Sequence, residues 1–195
     1  METILWITAL VIAVVPHEYA HGWVAEKLGD PTARMRGRLT LNPIKHIDPV
    51  GTILVPVILY LLPVHFLFGW AKPVPVNFSL LRNPKRDMIW VAAAGPAINF
   101  CIAGAAAVLM SLASGYVRLF LMLVVLINVF LALFNLVPIP PLDGSRILMG
   151  LLPINMARAL SRVEPFGIII LIVLLNFGFL RFILYIAFSW LRFWA

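Results

Sequence analysis

Two histidines and a glutamate stand close together near the start of the chain, in His17-Glu18-Tyr19-Ala20-His21. Residues four apart on a helix project from nearly the same face, so both imidazoles can reach one metal ion. Glu18 then lies to the side, at a distance suited to taking a proton from a water on that ion. The spacing predicts a zinc site with His17 and His21 as ligands and Glu18 as general base and acid. The alternative is a polar helix interface without a metal.

The residues around this motif are unusually apolar. Of 195 residues, 63% are hydrophobic and 12% are charged, more apolar surface than a water-soluble domain of this length can bury. The composition therefore predicts a membrane protein. A net charge of +7 could suggest nucleic acid, but the basic residues lie between apolar runs, as in cytoplasmic loops of membrane proteins. We therefore expect no nucleic-acid binding. Cys101 is the single cysteine, which excludes an intrachain disulfide and a cysteine-rich metal site.

The motif must be positioned by membrane-spanning helices, and we expect an all-α polytopic membrane protein. Four apolar runs are long enough to cross a bilayer: 3–27, 88–113, 117–137 and 166–190. A fifth run, 51–69, is interrupted by Pro56 and Pro63, which predicts a broken, re-entrant hairpin. We expect one membrane-embedded domain over 1–195, with a catalytic core over 3–150 and a C-terminal helix over 166–195.

Charge placement predicts the orientation of these helices. If 51–69 enters and leaves on one face, the basic residues gather on one side, and the other side keeps only Arg118, Arg181 and Arg192. If 51–69 spans, the two sides nearly balance. The positive-inside rule favours the first topology, with the N-terminus outside and the basic loops in the cytoplasm. His17 and His21 would then lie within the membrane, near the cytoplasmic end of their helix at Lys27, so the site would open toward the cytoplasm.

A catalytic zinc needs a third protein ligand, and Asp143 is a candidate. It follows the third span, on the predicted side of His21, in a stretch where Pro138, Pro140 and Pro141 prevent a regular helix. Its alternative role is to cap a turn as part of Asp-Gly. Spacing alone leaves both roles open, because other possible ligands are predicted near the same side: His46, Asp48 and His65.

Three motifs in order carry a family resemblance. They are the His17 to His21 pentapeptide, Ala94-Gly95-Pro96-Ala97-Ile98-Asn99, and the stretch from Asn135 through Leu142-Asp143-Gly144. Together they resemble the site-2 protease family of intramembrane zinc metalloproteases, peptidase family M50. The stretch from Gly37 to Gly51 is similar to the small subgroup without a PDZ or CBS domain.

The resemblance implies a three-helix core in which His17, His21 and Asp143 hold one zinc and Glu18 is the general base. It also implies that Asn99 and Asn135 lie near the active site and contact the substrate backbone or an oxyanion. Interhelical hydrogen bonding is the alternative role for these two amides.

The function expected from the motif and the resemblance is hydrolysis of a peptide bond within or near a transmembrane segment of another membrane protein. A catalytically silent relative that binds membrane segments and a metal transporter are the alternatives. The expected partners are a transmembrane substrate and the lipid bilayer, and self-association stays open. Residues 32–41 alternate polar and apolar side chains, which predicts either a short strand that pairs with substrate or a basic loop on anionic lipid.

Overall fold

The structure is a computed structural model that describes residues 2–61 and 69–194. Short 3-10 turns cover Pro43–His46, Phe78–Leu80 and Glu164–Phe166, and a π-helical stretch covers Pro49–Leu54. The α-helices, in chain order, are α1 (Glu2–Lys27), α2 (Thr32–Met35), α3 (Val55–Leu61), α4 (Pro84–Ser111), α5 (Gly115–Asn135), α6 (Asp143–Leu151), α7 (Ile154–Ser161), α8 (Gly167–Asn176) and α9 (Phe179–Trp194).

Three helices are long and apolar enough to cross a membrane, namely α1, α4 and α5. They correspond to the predicted spans 3–27, 88–113 and 117–137, and the all-α polytopic fold class is confirmed. The three helices pack against one another through many small side chains, which allow close approach in a membrane. The buried small residues of these helices include Ala9, Ala13, Ala103, Ala106, Ala107 and Ala132.

The prediction of one continuous helix over 166–190 is wrong. The chain breaks between α8 and α9, where Gly178 has a φ of 85° and the N–H of Phe177 bonds back to the carbonyl of Val173. A left-handed residue after the last turn ends a helix, and glycine adopts that conformation without strain. The segments Ile154–Leu174 and Phe179–Arg192 lie at 74° to each other, so a fourth span would be a bent one.

The two ends of the predicted hairpin, 51–69, come back to one place. The N–H of Trp70 donates to the carbonyl of Gly51 at 3.1 Å, and the Thr52 hydroxyl donates to the carbonyl of Trp70 at 2.9 Å. The residues on either side of this segment therefore lie beside each other, and re-entry into the membrane stays a prediction. Residues 62–68, which include Pro63 and His65, lie outside the described residues.

The strand predicted as one alternative for residues 32–41 is wrong. Thr32–Met35 forms one helical turn instead, because the carboxylate of Asp30 accepts hydrogen bonds from the N–H and the hydroxyl of Thr32. Such local side-chain bonds outweigh a weak alternation of polar and apolar residues. Gly37, with a φ of 61°, then turns the chain away. No strand occurs anywhere in residues 2–61 and 69–194.

Candidate metal centre

α1 presents His17 and His21 on the face that packs against α4. Both side chains are buried, with 4% and 9% of their surface exposed, and their Nε2 atoms lie 3.0 Å apart. α1 continues without a break through Pro16, so the proline does not interrupt the helix that carries both histidines. The i, i+4 spacing of the motif thus brings both imidazoles to one point.

Asp143 reaches the same point from a separate helix, as the first residue of α6. Its Oδ2 atom lies 3.2 Å from Nε2 of His17 and 3.2 Å from Nε2 of His21. The proline-rich chain between α5 and α6 forms no helix, and Gly144 packs directly against the carbonyls of Leu136 and Val137. The absence of a side chain at Gly144 therefore lets the chain fold back and aim Asp143 at α1.

The alternative ligands named from the sequence are not brought to this point. Nε2 of His46 pairs with the carbonyl oxygen of Thr40 at 2.9 Å, and the carboxylate of Asp48 accepts from the N–H groups of Val50 and Gly51. His65 lies outside the described residues. Within the part of the chain that the structure describes, His17, His21 and Asp143 form the group whose ligand atoms converge.

Hydrogen bonds from α4 determine which ring nitrogen of each histidine faces the centre. Nδ1–H of His17 donates to Oδ1 of Asn99 at 2.5 Å, and Nδ1–H of His21 donates to the carbonyl of Val91 at 2.7 Å. Both acceptors are oxygens, so the proton must be on Nδ1 in each ring. The Nε2 lone pairs are then free to bind a metal, as such outer hydrogen bonds do for zinc-binding histidines.

The orientation of the Asn99 amide is itself fixed by two acceptors. Its Nδ2 donates to the carbonyl of Ala13 at 2.9 Å and to Oδ1 of Asn128 at 2.7 Å. Asn128 in turn donates to the carbonyl of Val124 within α5. A chain of hydrogen bonds therefore runs from α5 through α4 to His17 on α1.

The three converging atoms fit a cation. Nε2 of both histidines and a carboxylate oxygen lie within 4.8 Å of one another, and Oδ2 of Asp143 is buried without a hydrogen-bond donor. Electron pairs that converge without a proton between them repel, and a cation at their centre removes that cost. Two imidazoles and one carboxylate are a ligand set of catalytic zinc sites.

Gly95 leaves room for such an ion. A Cβ atom at this position would lie 2.6 Å from Nε2 of His17 and in contact with Nε2 of His21. Real Cβ atoms do not approach other atoms so closely, so any larger residue would displace the ligands. The glycine of the second motif therefore keeps open the space at the two ligand nitrogens.

The charge state of Asp143 also suits a ligand. Burial alone would raise the pKa of this carboxyl, but the adjacent imidazoles of His21 and His17 lower it to about 2. A cation bound beside this carboxylate would act in the same direction. The carboxylate is thus ionised at neutral pH.

Glu18 does not join the three ligands but lines the cavity beside them. Its Oε2 accepts a hydrogen bond from the backbone N–H of Val74 at 2.8 Å. The cavity has a volume of about 290 Å³. Its lining comes from α1, α4, the end of α5, α6 and the segments that precede α4 and α6. It includes Val74, Val76, Phe78, Ala92, Asn135, Pro141 and Arg146.

The two asparagines of the motifs have different positions. Asn135 lines the cavity, and its Nδ2 donates to the carbonyl of Leu131 at 3.0 Å, so its contact with substrate stays a prediction. Asn99 has no exposed surface and lies behind His17, which matches the interhelical alternative. Asn128 was missed in the sequence. The sequence feature that could have identified it is a single amide inside an otherwise apolar span, where polar groups are costly and usually functional.

Comparison with known proteins shows which family the chain is similar to. The model for “Peptidase family M50” matches residues 110–177. The protein YwhC of Bacillus subtilis (strain 168), named “Putative zinc metalloprotease”, is 38% identical over 179 residues, covering 86% of this chain and 78% of YwhC. Rip2 of Mycolicibacterium smegmatis, with the same descriptive name, is 30% identical over 183 residues, covering 88% of this chain and 66% of Rip2. No solved structure matches the chain.

Proposed function

This chain belongs to peptidase family M50, and we propose that it is a zinc-dependent endopeptidase acting on a peptide bond within or near a transmembrane segment of another membrane protein. One observation carries the proposal. Three ligand atoms converge beside the C-terminal half of the membrane-spanning helix α1, next to a carboxylate that lines the same cavity.

We assign the ligand role to His17, His21 and Asp143. Zinc held there would supply a Lewis acid that lowers the pKa of a water molecule and polarises the substrate carbonyl. Glu18 takes the proton of the attacking water and later gives it to the leaving amine. The hydrogen bond from Val74 holds one oxygen of this carboxylate and so fixes the direction in which it faces the cavity.

Asn135 is the residue that we assign to the substrate backbone. A peptide bond in a membrane helix is shielded by its own hydrogen bonds, so it must unwind before water can attack. An unwound segment needs new partners, and the amide of Asn135 is a polar group in the cavity wall at the end of α5. We treat residues 1–195 as one peptidase domain, with its catalytic core over 3–150.

The orientation that we propose has the N-terminus outside and the cavity open toward the cytoplasm. The chain after the Lys27 end of α1 and before the Pro84 start of α4 is rich in lysine and arginine. Loops of this composition favour the cytoplasmic side.

The alternative functions account less well for the site. A silent relative that only binds membrane segments would not need Glu18 held beside a complete ligand set. A metal transporter needs polar groups along a path through the membrane. In the described core, the side chains beyond Asn99 and Asn128 are apolar, among them Ala9, Ala106, Met110 and Val125. The polar groups of the described core are therefore confined to one site and do not form a path through the helices.

The proposal can be tested with the Glu18→Gln variant, because Glu18 is not a ligand. Wild-type protein and the variant would be reconstituted with a panel of single-span membrane proteins, with Glu2→Gln as a control for loss of an acidic residue of α1. Zinc content would be measured on the same samples. We expect Glu18→Gln to hold as much zinc as wild type but to give no new termini within membrane segments. Equal cleavage by wild type and Glu18→Gln would contradict the proposal.

A further inference from the structure

A second cavity, of about 270 Å³, lies outside the metal centre and is lined by basic side chains. Arg36 and Arg38 contribute from the chain after α2, and Lys72 contributes from the segment after the hairpin. Pro73 and Pro75 complete its lining, and Pro73 also lines the cavity at the metal centre. Pro73 is therefore part of the lining of both cavities.

The cations of this cavity have no acidic partner in the described part of the chain. Ion pairs elsewhere in that part join Arg34 to Glu26 and Arg146 to Glu164, and both lie outside this cavity. None of the three basic side chains that line the second cavity takes part in an ion pair. Three positive charges around one cavity repel one another, and an anion between them would relieve that repulsion.

Arg38 makes this arrangement more unusual, because it is buried, with 9% of its surface exposed. Its Nη2 donates to the carbonyls of Lys72 at 2.6 Å and Pro73 at 3.4 Å, and its Nε has no hydrogen-bond acceptor. A buried guanidinium normally pairs with a carboxylate or a phosphate, because removing its charge from water is costly.

We infer that Arg36, Arg38 and Lys72 form a binding site for a phosphate group. Guanidinium groups bind phosphate oxygens through paired N–H donors, and a lysine ammonium adds a point charge. The phosphate can come from the headgroup of an anionic lipid or from a soluble phosphate compound. Apolar neighbours favour the lipid: Met35 and Leu41 flank the cluster and are 80% and 60% exposed, as in segments that lie on a membrane surface.

Occupation of this site has a structural consequence at the catalytic carboxylate. Arg38 holds the carbonyls of Lys72 and Pro73, and the next N–H, that of Val74, holds Glu18. An anion bound to Arg38 and Lys72 would therefore fix the segment that orients Glu18. The binding site itself does not depend on the proposed peptidase activity, so the two proposals can fail separately.

The test compares two double variants that lose the same charge. Arg36→Gln/Lys72→Gln removes two cations of the site and leaves Arg38 in place. Lys45→Gln/Arg86→Gln removes two exposed cations elsewhere. Arg36→Lys/Lys72→Arg keeps both charges and tests whether the side chains matter only for folding. Each protein would be placed in phosphatidylcholine nanodiscs, and the midpoint of thermal unfolding would be followed in two arms. One arm adds phosphatidylglycerol, and the other adds inorganic phosphate at constant ionic strength.

We expect phosphatidylglycerol to raise the midpoint of the wild type by about 2–4 °C, the shift that corresponds to roughly 1 kcal/mol in a chain of this size. Lys45→Gln/Arg86→Gln and Arg36→Lys/Lys72→Arg should respond in the same way, and Arg36→Gln/Lys72→Gln should lose the response. The same pattern with inorganic phosphate alone would support the site and identify a soluble source. Equal responses of the two glutamine double variants in both arms would overturn the inference.

Discussion

Nδ1–H of His17 on α1 donates a 2.5 Å hydrogen bond to Oδ1 of Asn99 on α4, and both side chains are buried between the helices. The bond turns Nε2 of His17 toward Asp143, on the far side of the ring. A ligand on one membrane-spanning helix is thus oriented by an amide on another. The metal centre depends on the packing of α1 against α4 as well as on the ligands themselves.

Replacing Asn99 should therefore weaken zinc binding without removing a ligand. We expect Asn99→Ala to lower zinc affinity by about 10–100-fold, the usual effect of losing a partner that orients a zinc-binding histidine. The measurement is competition against a zinc indicator of known affinity, with the exposed Asn155→Ala as the control. Unchanged affinity in Asn99→Ala would show that its hydrogen bond does not orient the ligand.

Asn128 should act on the metal only through Asn99. Asn128→Ala leaves one N–H of Asn99 without its acceptor in an apolar interior, which costs about 1–3 kcal/mol of folding stability. It should also lower zinc affinity, because the amide of Asn99 can then rotate. In a double-mutant cycle, Asn99→Ala/Asn128→Ala should bind zinc no more weakly than Asn99→Ala alone. Fully additive losses of affinity would indicate an independent role for Asn128.

Gly95 and Gly104 provide a matched pair on α4. Alanine at Gly95 would place a Cβ 2.6 Å from Nε2 of His17, whereas alanine at Gly104 would meet nothing within 4 Å. We expect Gly95→Ala to lose stoichiometric zinc and Gly104→Ala to keep it. Gly104→Ala should be neutral or more stable by up to about 1 kcal/mol, because alanine favours a helix. Zinc content and thermal unfolding of the two variants test this, and normal zinc in Gly95→Ala would contradict the geometry.

The N–H of Val74 should matter for catalysis and not for zinc binding. Val74→Pro removes the donor that holds Glu18, whereas Val74→Ala keeps it. We expect Val74→Pro to reduce kcat by about tenfold or more, part of the roughly 10²–10⁴-fold that a positioned general base contributes. Zinc content should equal that of Val74→Ala. Similar kcat values for the two variants would show that this hydrogen bond does not position the base.

The sequence predicted the helices better than their interruptions and contacts. The spacing of His17 and His21 predicted that they share a face. The sidedness of the spans put Asp143 on the same side, and the family resemblance implied that it joins them. The role of these residues in zinc binding stays a prediction. The break at Gly178 was missed because the surrounding apolar run is long enough to span as one helix. The turn at Thr32 was missed because the side-chain bonds of Asp30 were not considered.

Two contacts had no local signal at all. The hydrogen bond between Val74 and Glu18 joins segments that are far apart in the chain, and its register depends on how the segment after the hairpin packs on α1. The bond between Asn99 and Asn128 depends on which faces of α4 and α5 meet. In highly apolar helices almost every face is hydrophobic, so periodicity does not identify the buried one.

The central claim is that one zinc is held jointly by the histidines of α1 and the aspartate of α6. It is tested most directly by measuring the zinc stoichiometry and affinity of the Asp143→Ala variant. The control is Asp48→Ala, which removes the aspartate that the sequence offered as an alternative ligand. We expect wild type and Asp48→Ala to hold one zinc per chain and Asp143→Ala to lose it at the same free zinc concentration. One tightly bound zinc in Asp143→Ala, with the affinity of the wild type, would contradict this account.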